Sequence, residues 1–188
     1  MGSLRIPSPE LLLGKRTLIV GRVRSGKTRL TAEILRGFMG LVGAGEITVI
    51  DLAPERGGLG LSLRAYLGFP EGLRYLRPAS VRAPRLEGRD AEEVLRLARE
   101  NEEYIRPILL NFLENPTKIL VMNDMTIYLH AGDLGLILEC MGSVETFLGN
   151  AHYGRGDFDD KGSGLNERER LLIEELMRRV DVILKLSP

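Results

Sequence analysis

Apolar residues in this chain fall into short clusters that carry two different periods. Five clusters are near-continuous apolar runs of strand length: Thr17–Gly21, Ile47–Asp51, Ile119–Met122, Val144–Gly149 and Val182–Leu186. Runs of this kind suit strands of a parallel sheet, which is buried on both faces. Between them the spacing changes to that of a helix. Leu30, Ile34, Leu35 and Phe38 line one face of a segment from about Gly26 to Met39. Val94, Leu97, Ala98, Tyr104 and Ile105 do the same in a segment that Asp90-Ala-Glu-Glu93 opens as a capping box. Pro107 should kink that helix or start a new one before it ends near Glu114. Leu134–Met141 reads as a short helix. Asn166-Glu-Arg-Glu169 reads as a second capping box, opening a helix to about Val180.

Strands alternating with helices predict an α/β fold, three layers with a mainly parallel five-stranded sheet and right-handed crossovers. The whole chain, 1–188, reads as one domain. Residues 1–14, with Pro7 and Pro9, are a lead-in with a turn near Pro9–Leu13. Residues 52–89 are expected to be an irregular insertion, since Gly57, Gly58, Gly60, Pro70, Gly72, Pro78 and Pro84 break any long element. A loop that long is functional, mobile or misread. The Gly/Asp-rich stretch 153–165 has two readings: a lid loop, with Arg155 placed to meet charge developing at a ligand, or a solvated mobile loop, the favoured account. In open parallel sheets ligands bind beyond the carboxyl ends of the strands. Asp51, Asn123, Asp124, Asn150 and His152 all fall at such ends, beside the loop after the first strand.

Composition narrows the function classes. Lys+Arg and Asp+Glu both number 26, so there is no bulk charge to attract nucleic acid or a membrane surface. The single cysteine, Cys140, excludes an intrachain disulfide and a cysteine-ligated zinc site. No apolar run approaches membrane-spanning length and no signal peptide is visible, so a cytoplasmic protein without membrane insertion is expected. Arginine far outnumbers lysine and glutamine is absent, a composition that hints at a thermophile.

The chemistry is concentrated in Gly21-Arg22-Val23-Arg24-Ser25-Gly26-Lys27-Thr28, a G-x-x-x-x-G-K-T loop between a strand and a helix. Its backbone N–H groups can curl around anionic oxygens, and the helix that follows, through Arg29, adds the positive end of its dipole. Lys27 is suited to the β- and γ-phosphates and Thr28 to Mg²⁺. The loop is a full match to Walker A, and here the sequence resembles the P-loop NTPase superfamily. That resemblance implies ATP or another nucleoside triphosphate as cofactor, with Mg²⁺. It also implies an acid at the end of a buried strand. Lys118-Ile-Leu-Val-Met-Asn-Asp124 resembles that Walker B strand but ends in Asn-Asp where one branch has Asp-Glu. Either Asn123 or Asp124 faces the metal, and Asp124 is preferred. Asp51 is a competing metal-side acid. The same branch places its fourth strand beside the loop strand with a polar residue sensing the γ-phosphate, which implies Asn150 here, with His152 in a similar role. His130 reads as structural.

An Mg²⁺-dependent ATPase of RecA-like type is the leading expectation. A nucleotide-dependent transferase is the alternative: a small-molecule kinase with its acceptor at 52–89, or a protein similar in layout to P-loop corrinoid adenosyltransferases. A non-hydrolysing sensor or assembly module is the third, motivated by the Asn-Asp departure. A protein partner or a second copy of the chain is left open. Arg64, Arg74, Arg77, Arg82, Arg85 and Arg89, with Tyr66 and Tyr75, could track nucleic acid, but ion pairing is the favoured account.

Overall fold

The computed structural model describes residues 7–56, 60–68 and 70–187. The lead-in before Pro7, and Gly57 and Gly58, lie outside the described residues. Six strands form one parallel sheet: β1 (Arg16–Gly21), β2 (Ile47–Asp51), β3 (Arg74–Leu76), β4 (Ile119–Asn123), β5 (Thr146–His152) and β6 (Val182–Leu186). Their order across the sheet is β3-β2-β4-β5-β1-β6, and every pairing is parallel. The helices in chain order are α1 (Pro9–Leu12), α2 (Lys27–Val42), α3 (Arg64–Leu67), α4 (Pro84–Glu87), α5 (Ala91–Glu114), α6 (Thr126–Leu129), α7 (Leu134–Gly142) and α8 (Leu165–Met177).

Strand alternation sorts the core into two layers. Ile19, Val49, Val121, Leu148 and Leu184 pack with Leu30, Ile34, Leu35 and Phe38 of α2. Leu18, Val20, Ile50, Leu120, Met122 and Phe147 pack with Ile105, Leu109 and Phe112 of α5, with Ile137 of α7 and with Ile173 of α8. The same alternation carries past the last apolar residue. Asp51, Asn123 and Asn150 continue the α2-side rows of β2, β4 and β5, and they meet as a buried polar row. Asn123 Nδ2 donates to Asp51 Oδ1 at 2.8 Å, Asn150 Nδ2 donates to Asn123 Oδ1 at 2.7 Å, and Asn150 Nδ2 also donates to Thr31 Oγ1 of α2 at 2.8 Å.

Three expectations are corrected. The sheet has six strands rather than five, because the 52–89 insertion contributes β3 at the sheet edge, paired with β2 from Thr48↔Arg74 to Ile50↔Leu76. The insertion also forms α3 and α4, and it is fastened rather than loose. Asp51 accepts from the N–H groups of Leu63 (2.8 Å) and Ala53 (3.2 Å) and from the Tyr75 hydroxyl. Asn101 of α5 clamps the backbone of Arg82 on both sides, accepting from its N–H at 2.7 Å and donating to its carbonyl at 2.9 Å.

Second, of the two outcomes expected at Pro107 a new helix does not begin there: α5 is one helix through Pro107, which is exposed, so the carbonyl it leaves unpaired can turn to water. Its predicted cap holds: Asp90 accepts from the Glu93 N–H at 2.9 Å. Third, the expected capping box at Asn166 does not form. α8 instead starts at Leu165 behind Gly164, Asp160 accepts from the Asn166 N–H at 3.0 Å, and Glu169 turns inward. β5 runs past Gly149 and ends at His152, so Asn150 and His152 both lie in the strand.

Asp51 is fully buried and takes four donors. Its replacement by alanine strands those donors, and Asp51→Ala is expected to cost roughly 3 kcal/mol. Chemical unfolding should show this as a lower midpoint at an unchanged slope.

Candidate functional site

β1 delivers Gly21 to the carboxyl edge of the sheet, and the chain then turns sharply into α2. Arg24 and Gly26 both take left-handed backbone angles, φ 60° and 89°. For Gly26 this costs nothing, whereas a side chain there would be strained. The turn leaves the N–H groups of Arg24, Gly26, Lys27 and Thr28 without a partner among the described residues. The buried Ser25 hydroxyl is unpartnered as well. Lys27 Nζ donates to the Arg22 carbonyl at 2.7 Å, folding back over the loop.

The loop opens on a cleft of about 320 Å³, within the range of small-molecule sites. Val23 to Arg29 form one wall. Asp124, Thr126, His130, Asn150 and His152 line it, and Pro54, Leu61, Tyr66, Ala83, Pro84, Leu86, Ile127 and Phe158 supply an apolar remainder. Most of that apolar wall belongs to the 52–89 insertion.

Asn123 and Asp124, adjacent in sequence, are separated by the end of β4. Asn123 is the last strand residue and points into the polar row, where its amide is spent on Asp51, Asn150 and the Leu61 carbonyl. Asp124 follows with φ 58°, so the chain leaves the strand and its carboxylate comes to the cleft with Lys27. Its backbone N–H is held by Asn150 Oδ1 at 2.9 Å, and Thr126 Oγ1 donates to its Oδ1 at 3.0 Å. Burial pushes the Asp124 carboxyl above its usual range, opposed by the Thr126 hydroxyl and the Lys27 ammonium. Burial likewise pulls the Lys27 ammonium down, opposed by Asp124, Asp157 and Glu169.

The predicted site residues therefore divide. Val23 to Arg29, Asp124, Asn150 and His152 come together at the cleft. Asp51 does not: its carboxylate is enclosed by four protein donors beneath the insertion, which answers its reading as a metal ligand. Gly21 lies beneath the loop, packed against Leu186, and the Arg22 side chain leaves the cleft for Asp157. Arg155 does not line the cleft but an adjacent surface hollow with Arg170. The arginines of the insertion are committed internally: Arg74 to Asn111 and the Asn115 carbonyl, Arg77 to Glu55, Arg82 to Glu87 and Arg89 to Glu93.

Sequence reasoning missed Glu169. It is buried, and it accepts from Arg85 Nη2 at 2.8 Å, from His130 Nε2 at 2.8 Å and from His152 Nδ1. Its signal was present in α8, where Leu165, Glu169, Ile173 and Leu176 share the buried face. A carboxylate on an apolar stripe demands partners. Burial works against the charged form of Glu169, yet His130, His152 and Arg85 hold its carboxyl well below the usual range. Burial pushes the His130 imidazole below its usual range, opposed by Glu169. With Nε2 bound to that carboxylate, His130 Nδ1 is buried without a partner. Among the described residues no group of three His, Cys, Asp or Glu could enclose a metal ion.

No family model matches the chain, and no curated protein matches it in sequence. Among solved structures the chain is similar to the Pif1 helicase from Candida albicans, at 10% identity and a TM-score of 0.39, over 95% of this chain. The chain spans 37% of that helicase chain, and the likeness is too remote to assign an activity. No helix among the described residues is long and apolar enough to cross a membrane.

Acid should unfold the protein in two steps of the same sign. Neutral buried His130 stabilises above about pH 6.5, and that contribution is lost as pH falls from there toward its lowered folded value. Ionised Glu169 stabilises above about pH 4.5, and that is lost below it. Melting followed by circular dichroism should be flat above pH 7, fall below about 6.5 and steepen below 4.5. Glu169→Gln should melt lower at pH 7 with a shallower acid limb. A midpoint constant from pH 7 to 5 would contradict a buried neutral His130.

Proposed function

We propose that this chain binds a nucleoside triphosphate, ATP foremost, together with Mg²⁺, and hydrolyses it. The observation that carries the reading is the loop itself: four backbone N–H groups without a partner among the described residues lie at a helix N-terminus, in a cleft that Lys27 and Asp124 also line. Such a turn favours a polyanion. The residues also fit the metal. Among the described residues the Thr28 hydroxyl has no hydrogen-bond partner, and Asp124 is the acid that lines the cleft. When bound, the cation supplies charge neutralisation for the β- and γ-phosphate oxygens.

The protein's own part is positioning and electrostatics. The loop N–H groups hold the phosphates, and Lys27 meets charge that grows on the oxygen bridging β and γ as that bond breaks. Water supplies the new oxygen to the γ-phosphorus, giving a diphosphate and inorganic phosphate. Asn150 acts through Asp124, fixing its backbone, because both sides of its amide are already committed. His152 closes the cleft on the lid side, held between Glu169 and Asp157.

Transfer to an acceptor is the second reading, favoured by one observation: Leu61, Tyr66, Ala83, Pro84 and Leu86 extend the cleft as an apolar wall past the loop. Phosphate release from MgATP alone supports hydrolysis. Turnover that requires a second substrate supports transfer.

Lys27→Ala should weaken triphosphate binding by well over tenfold, from a charge-assisted contact of about 2–3 kcal/mol. An unchanged Kd in calorimetry would overturn the phosphate-loop reading. Asp124→Asn should leave nucleotide affinity without metal near that of the parent and abolish most of the gain that Mg²⁺ brings. Equal Mg²⁺ enhancement in both proteins would move the metal away from Asp124.

A further inference from the structure

One carboxylate at the loop is used by neither reading. Asp157, on the 153–164 segment between β5 and α8, meets the Gly21–Thr28 turn at Arg22 and Val23, beside the cleft that Val23 lines. Its Oδ2 accepts from the Val23 N–H, one of the loop's own amides, at 3.2 Å. Its Oδ1 accepts from both Nε (2.8 Å) and Nη2 of Arg22. His152 Nε2 lies 2.8 Å from Oδ2, and the other nitrogen of that ring is seated on buried Glu169. The Asp157 side chain is only 8% exposed, although it sits on a surface loop.

Local packing is fitted to this contact. A Cβ at Gly154 would come within 2.7 Å of Arg22 Cγ and 3.1 Å of Asp157 Oδ2, so the pair closes over a residue without a side chain. Tyr153 N–H donates to the Gly21 carbonyl at 3.0 Å, tying the start of the segment to the start of the loop. An anionic oxygen pair held by a loop N–H, a guanidinium and an imidazole has the donor set a phosphate would take.

We propose that Asp157 is an internal competitor for the phosphate loop: its carboxylate holds the 153–164 segment down on the loop, and a nucleotide phosphate displaces it and releases that segment. The inference rests on the nucleotide-binding reading above and adds regulation of that site by its own lid. The Val23 N–H cannot serve Asp157 and a phosphate at once, and two anions on one loop repel, so a phosphate that takes this amide excludes the latch. The apparent affinity is then reduced by the fraction of molecules that are latched.

Calorimetry with MgADP and with a non-hydrolysable MgATP analogue, on the full chain, tests this. Asp157→Asn keeps the side-chain volume but removes the charge. It should tighten binding by about threefold to tenfold, as expected when a dominant latched state is abolished. Gly154→Ala, whose Cβ would crowd both Arg22 Cγ and Asp157 Oδ2, should act in the same direction. Hydrogen exchange gives an independent readout. Amides of 153–164 should exchange faster in the parent protein once nucleotide is added, and equally fast in Asp157→Asn without it.

Unchanged or weaker binding in Asp157→Asn, with the parent protein binding and Lys27→Ala impaired, would overturn the latch and leave nucleotide binding standing. Unchanged exchange of 153–164 on nucleotide addition would overturn it too. Binding by neither the parent protein nor Asp157→Asn would remove both readings.

Discussion

Two carboxylates buried at the carboxyl edge of the sheet govern the rest of the structure. Asp51 and Glu169 are both withdrawn from water, and an ionised group so placed must be surrounded by donors or cost several kcal/mol. Each collects partners from segments distant in sequence. Asp51 gathers Ala53, Leu63, Tyr75 and Asn123, and thereby pins the insertion to β2 and β4. Glu169 gathers Arg85, His130 and His152, and thereby joins α4, the end of α6, β5 and α8. The cleft lies between these two clusters, so its walls are set by where charge had to be neutralised.

This arrangement separates what shapes the site from what is free to react. Asp51, Asn123, Asn150 and Glu169 have their polar atoms occupied by protein partners. Among the described residues, the N–H groups of Arg24, Gly26, Lys27 and Thr28, the Thr28 hydroxyl and His130 Nδ1 have no such partner. Electrostatic preorganisation requires such a division, since a donor that must first break an internal bond gives back part of what it offers a ligand. Lys27 stands between the two classes: its ammonium rests on the Arg22 carbonyl, a neutral acceptor that a phosphate can replace with gain.

Much of the fold was legible because buried parallel strands announce themselves as apolar runs. Five of the six strands and the long helices followed from periodicity, and the loop followed from its glycines and lysine. β3 was hidden because an edge strand of three residues, Arg74–Leu76, is too short for a period and lies among turn residues. The Asn166–Glu169 box misled because its spacing fits a capping box while the helical face of Glu169 fits burial. Burial won, since Arg85 and two histidines wait on that face. The polar row was invisible for a different reason. The pattern places Asp51, Asn123 and Asn150 at one edge of the sheet, but only the strand order β2-β4-β5 makes them hydrogen-bonded neighbours.

Asn123 and Asp124 show how one backbone angle divides a dipeptide between structure and chemistry. By strand alternation alone, the residue after Asn123 would face the α5 layer, among Leu120 and Met122. A carboxylate there would meet only apolar groups. The left-handed turn at Asp124 avoids that, and it costs less for aspartate than for bulkier residues. Asn150 offsets the remaining cost by accepting the Asp124 N–H, and Asn150 is itself held by Asn123 and Thr31. The neutral amide at 123 is therefore suited to its place. A second carboxylate there would confront Asp51 directly, with no donor between them, and the row that positions Asp124 would break at its centre.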